Sequence, residues 1–138
     1  MRGMVNHVDL TVVDPDRSLP FYEAVLGYMG YRRASSHERG YDFDCETADG
    51  LYASIGIMRA QGEGRTRRHD RYSPGLHHLA WTAQSCGDVD GLYRLLLLDI
   101  GANVLDEPAE YPDYGAGYYA VFFTDPDGLK LEFVHWPR

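Results

Sequence analysis

Asn6-His7-Val8-Asp9-Leu10-Thr11-Val12-Val13 and Leu76-His77-His78-Leu79-Ala80-Trp81-Thr82 are the stretches that decide the fold. Each reads as a short strand opening on histidine. A third, Leu129-Lys130-Leu131-Glu132-Phe133-Val134, follows the turn Asp125-Pro126-Asp127-Gly128. Alternate residues of a strand share a face. His7 therefore goes with Asp9 and Thr11, His78 with Ala80 and Thr82, and Glu132 with Lys130 and Val134, while the intervening positions are apolar. Two imidazoles and a carboxylate on polar strand faces form a donor set for one divalent metal, with coordination positions left for a substrate.

The same order of elements occurs twice. After the first strand, Asp14-Pro15-Asp16 caps a helix over Arg17–Leu26 that stops at Gly27, with Leu19, Phe21, Tyr22, Val25 and Leu26 as its apolar stripe. Strands are expected near Tyr31–Ser35, Tyr41–Glu46 and Leu51–Met58. After a polar, Gly- and Arg-rich connector the pattern restarts. A strand begins at Leu76, Ser85 to Asp88 cap a helix over Val89–Ile100, and strands follow near Asn103–Leu105, Tyr118–Thr124 and Leu129–Val134. Each half is βαβββ, with His7 and His78 in equivalent places. The fold class is α+β: two βαβββ modules forming an open cupped sheet, helices outside and polar faces inside. One domain covers residues 1–138, with module one at about 4–60, a connector at 61–75 and module two at about 76–136.

Composition narrows the function classes. At 44% hydrophobic and 25% charged residues the chain reads as globular, and its formal net charge of −8 argues against a nucleic-acid partner. No apolar run approaches a membrane span, no signal segment opens the chain, and Cys45 and Cys86 are too few for a disulfide framework. A cytoplasmic protein with no membrane partner is expected. His77, on the opposite face from His78 by strand parity, reads as structural or surface. The stretch Arg65–Arg71 with His69 reads as a solvated connector, or as an anion-binding lid. Tyr111, Tyr114, Tyr118 and Tyr119 lie in a loop shaped by Pro108, Pro112, Gly115 and Gly117, either packing or walling a pocket. Asp125-Pro126-Asp127-Gly128 reads as a hairpin turn rather than an acid pair.

Four segments in order resemble the vicinal oxygen chelate superfamily, which includes glyoxalase I, extradiol dioxygenases and fosfomycin- and bleomycin-resistance proteins. They are the Asn6-His7-Val8 opening, Phe21-Tyr22-Glu23-Ala24-Val25-Leu26-Gly27-Tyr28, Gly75 through His78-Leu79-Ala80-Trp81, and Phe122-Phe123-Thr124-Asp125-Pro126-Asp127-Gly128 with Glu132. The resemblance implies paired modules, a divalent metal on His7, His78 and Glu132 (Fe, Mn, Zn or Ni), and commonly a homodimer. Glyoxalase I enzymes carry a further carboxylate on the fourth strand, where Gly56 stands here. Extradiol dioxygenases use a tyrosine ten positions before the glutamate, where Phe122 stands. Fosfomycin-resistance enzymes usually have that tyrosine too, and a threonine at the place of Asp9.

The expected function is a metal-dependent enzyme, a glyoxalase-like lyase or isomerase, that chelates a small metabolite through two vicinal oxygens and stabilises an enolate or oxyanion. Asp9 and Tyr118 are the expected proton-transfer groups. Thr11, Ala80, Thr82, Phe122 and Lys130 are the expected pocket residues. The alternatives are an extradiol-type dioxygenase and a non-catalytic small-molecule binder of the bleomycin-resistance kind.

Overall fold

The computed structural model describes residues 2–138, which divide into two compact units, one ending at Arg67 and the other beginning at Arg68. The first unit contains β1 (His7–Val12), α1 (Pro15–Tyr28), β2 (Arg32–His37), β3 (Gly40–Glu46) and β4 (Tyr52–Arg59). The second contains β5 (Leu79–Thr82), α2 (Cys86–Arg94), β6 (Asn103–Glu110), β7 (Tyr119–Thr124) and β8 (Lys130–His135). Each forms a four-stranded mixed sheet, ordered β1-β4-β3-β2 in one and β5-β8-β7-β6 in the other. In both, the first strand pairs parallel with the last and the remaining pairs are antiparallel. The repeated α+β architecture is thus present in both units.

In the first unit Leu10, Phe43, Ile55 and Ile57 are buried on one face of the sheet, against α1. Asp14 caps α1 by accepting from the Asp16 amide, and Pro15 takes the first turn, where its missing N–H costs nothing. Capping at Asp14 starts the helix earlier than Arg17, and it runs through Gly27 to Tyr28, so Gly27 is not its stop. Tyr41 donates from β3 to Asp16 Oδ1 at 2.5 Å, tying strand to helix.

In the second unit Val121, Phe123, Leu131 and Phe133 pack with Val89, Leu92 and Leu96. Ser85 and Asp88 form a capping box that opens α2 at Cys86, ahead of Val89. The helix does not continue regularly to Ile100. Leu95–Asp99 forms a π-helical turn, closed by Ile100 N–H to Leu95 O, and Leu96 stays fully buried while Leu98 is exposed. Asp125 accepts from the Asp127 and Leu129 amides, and Gly128 turns at φ +86°, so this segment is the hairpin turn read from sequence.

Two strand boundaries also differ from expectation. The strand expected from Leu76 begins at Leu79, leaving His77 and His78 in the approach to β5. The strand expected over Asn103–Leu105 runs to Glu110, because register shifts beside Asp106 let β6 continue past its irregular residues.

Two glycines in the first sheet test these contacts. A Cβ at Gly40 (φ +154°) would meet the Ile57 backbone carbonyl oxygen at 1.8 Å, whereas one at Gly56 would meet the movable ends of Asp9 and Met58. Gly40→Ala is expected to cost about 3 kcal/mol or more and Gly56→Ala less than about 1 kcal/mol, measured by urea unfolding. Tyr119 supplies a second test. Its hydroxyl donates to Asp90 Oδ1 at 2.6 Å, and this bond, then desolvation, raises its pKa to about 12. A raised pKa stabilises the fold below the unfolded value near 10 and loses that contribution as pH climbs toward 12. Tyr119→Phe should flatten the fall in thermal stability between pH 10 and 12.

Candidate metal and substrate site

Glu132 is the one carboxylate the second sheet buries on its face away from α2, and it is 2% exposed. In register it lies beside Ala80 of β5 and Phe122 of β7. Phe122, Ala120 and Val134 cluster there with Tyr111, Tyr118 and Trp136 packed against them. Charge in such a place requires partners, and Glu132 has two. Tyr118 donates its hydroxyl to Oε1, and His78 Nε2 lies 3.1 Å from Oε2. Burial, then the Glu132 bond, pushes the Tyr118 phenol well above its ordinary pKa. Lys130 lays its ammonium over the Phe122 ring, 4.6 Å from the centroid. Ala80 and Thr82 are exposed on β5.

His77 does not take the opposite face from His78. Outside the strand, parity does not apply, and the two rings sit 5.0 Å apart with their Nδ1 atoms at 2.7 Å. Desolvation, then the charges of His78, Lys130 and Arg71, hold His77 below the usual imidazole pKa. Tyr72 meets the His77 ring edge-on at 5.7 Å, and Arg71 lies over Tyr72 and donates to its hydroxyl at 2.9 Å. Part of the basic connector thus packs edge-on against His77.

In the first unit, His7, Asp9 and Thr11 are exposed on the face away from the buried Leu10 and Val12. His7 Nδ1 contacts Asn6 Oδ1 at 3.0 Å. An open cleft of about 480 Å³ is lined by His7, Asp9, Asp42, Asp44, Tyr52 and Ser54, among others. Asp42 and Asp44 were not singled out from sequence, although alternation along Tyr41-Asp42-Phe43-Asp44 signals them. Ser35 donates to Asp42 at 2.5 Å and Tyr52 to Asp44 at 2.8 Å.

The two registers fix which positions correspond. Two residues after each histidine, Ala80 pairs with Glu132 in one sheet and Asp9 pairs with Gly56 in the other. Phe122 likewise corresponds to Asp42, since both are the next neighbours. Gly56 is therefore the first-sheet counterpart of Glu132. Where one sheet buries a single carboxylate, the other has no side chain, between two aspartates.

Imidazole and buried carboxylate facing each other across 3.1 Å are donors of the type a divalent ion takes. Within neither unit, among the described residues, do three or more His, Cys, Asp or Glu side chains gather to hold a metal by themselves. His78 and Glu132 are brought together, with Tyr118 on Glu132.

A family model described as the Glyoxalase/Bleomycin resistance protein/Dioxygenase superfamily matches residues 4–133, and the chain belongs to that family. The Bacillus subtilis protein YqjT is 31% identical over 130 residues, covering 94% of this chain and 97% of that protein. A lactoylglutathione lyase of Haemophilus influenzae is 31% identical, covering 93% of this chain and 89% of its own. A Bacillus halodurans protein assigned to the glyoxalases has a crystal structure that superposes with TM-score 0.80 at 30% identity, covering 98% and 97% of the two chains. Among the described residues no helix is long and apolar enough to cross a membrane.

Removing the Tyr118 hydroxyl leaves Glu132 Oε1 buried without its donor. Tyr118→Phe is expected to destabilise the protein by about 1–3 kcal/mol, and to cost much less when Glu132 is already Leu, which has no acceptor. Denaturant melts of the four members of that cycle give the coupling directly.

Proposed function

We propose that the protein is a divalent-metal-dependent enzyme in which His7, His78 and Glu132 hold one metal ion (Fe, Mn, Zn or Ni) and a small metabolite is bound through two vicinal oxygens. The supporting observation is the His78–Glu132 pair: a buried carboxylate spends its second oxygen on an imidazole nitrogen at 3.1 Å. His7, of this chain or of a second copy in a homodimer, is the third ligand and completes a two-histidine, one-carboxylate set. When bound, the metal supplies Lewis acidity that stabilises an enolate or oxyanion on the substrate.

The chain's own groups carry the remaining tasks. Tyr118 holds Glu132 in one orientation through Oε1, leaving Oε2 toward His78. Asp9, exposed beside His7, is the base that moves the substrate proton. Thr11, Ala80, Thr82 and Phe122 border the substrate, and Lys130, poised over Phe122, faces its negative charge. Both cysteines are free, in keeping with a reducing, cytoplasmic setting.

The reaction class is that of a lyase or isomerase rather than a catechol-cleaving dioxygenase. Phe122, the strand neighbour of Glu132, has no hydroxyl to exchange a proton. Gly56 cannot supply a fourth carboxylate, so turnover of the methylglyoxal–glutathione adduct should be poor. Elemental analysis of purified protein should find about one divalent metal per chain, lost in His7→Ala, His78→Ala and Glu132→Ala. Metal addition should raise the melting temperature of the wild type by mass action. A metal-free protein whose stability ignores added metal would refute the proposal, and fast glyoxalase or catechol turnover would refute its choice of reaction.

A further inference from the structure

His78 has a neighbour on each ring nitrogen: Nε2 is 3.1 Å from Glu132 Oε2, and Nδ1 is 2.7 Å from His77 Nδ1. A neutral imidazole has one N–H and one bare nitrogen, and a cation takes the bare one. Two bare nitrogens at 2.7 Å repel, as do two N–H groups, so one histidine donates and the other accepts. With both rings neutral, two arrangements satisfy both contacts. In the first, His77 donates from Nδ1 to His78, which carries its proton on Nε2 and donates to Glu132. In the second, His78 donates from Nδ1 to His77, and its bare Nε2 faces the carboxylate, which is favourable only with a cation between them.

Resting on the metal reading of His78 and Glu132, we propose that His77 is a positioning residue that sets the tautomer of His78. It donates to His78 in the metal-free protein and accepts from it once a cation is held. Protons balance across the change. His78 moves its proton from Nε2 to Nδ1, His77 moves its own from Nδ1 to Nε2, and each ring remains neutral through exchange with water. The Tyr72 ring, itself under Arg71, packs edge-on against the His77 ring. Ligand histidines generally give their second N–H to an acceptor, and here that acceptor is another imidazole.

The test titrates Zn²⁺ alone into the full chain by calorimetry and reads the tautomer of His78 by long-range ¹H–¹⁵N correlation. The wild type should show His78 protonated at Nε2 without Zn²⁺ and at Nδ1 with it. His77→Ala should weaken Zn²⁺ binding about tenfold or more, and His77→Asn, whose Oδ1 replaces the accepting Nδ1, should return to within about threefold of wild type. Circular dichroism melts of both variants identify any unfolding, and the Asn variant carries the test if the Ala variant does not fold. Unchanged Zn²⁺ affinity in His77→Ala, with His78→Ala abolishing binding, overturns this inference and leaves the metal reading standing. Loss in His77→Ala equal to that in His78→Ala, without recovery in His77→Asn, also overturns it, by making His77 a ligand. A wild type that binds no Zn²⁺, or binds it regardless of His78→Ala, overturns both.

Discussion

The burial of the Glu132 carboxylate is the constraint around which the second unit is organised. Withdrawing an ionised carboxyl from water costs several kcal/mol even after relaxation. Glu132 is 2% exposed, so the chain must offset that cost with partners. One comes from the segment before β7 and one from the approach to β5, so Tyr118 and His78 are held by the same charge. The neighbours across the sheet then need no polarity of their own, and Ala80 and Phe122 supply size and shape instead. An apolar core alone needs no carboxyl at this place. A carboxyl kept there, with a phenol and an imidazole on its two oxygens, is held in one orientation.

The features that could be read from sequence are those governed by a short period. Alternation in β1, β5 and β8 gave the faces of His7, Asp9, Ala80 and Glu132 correctly, and the repeat gave the two four-stranded sheets. The helix caps were visible in Asp14-Pro15 and Ser85 because those side chains act within three residues. What local pattern could not supply was the edge of a strand. β5 starts where its parallel pairing with β8 starts, at Leu79 opposite Leu131, and that partner lies about fifty positions away. Strand parity therefore holds only from Leu79 onward, and His77 lies beside His78 rather than on the opposite face. The length of β6 escaped for a similar reason, since its irregular pairing with β7 crosses Asp106 to Ala109 and its apolar pattern is broken there. Asp42 and Asp44 were legible by alternation but lacked a histidine to draw attention to them.

The missing side chain at Gly56 bears on how such a chain changes over generations. Asp9, Gly56 and Asp42 stand side by side on three adjacent strands, and the two carboxylates lean into the space the glycine leaves. An acid placed at 56 while both neighbours remain would set three like charges in a row, which adjacent strands resist and which favours protonating one of them. Removing Asp9 first would take one carboxylate from the cleft and leave Asp42 and Asp44 there. The cost of an acid at 56 therefore depends on which of the two neighbouring aspartates is present. Residues 9, 42 and 56 thus answer as one unit, and a change at the glycine is read through the charges on either side of it.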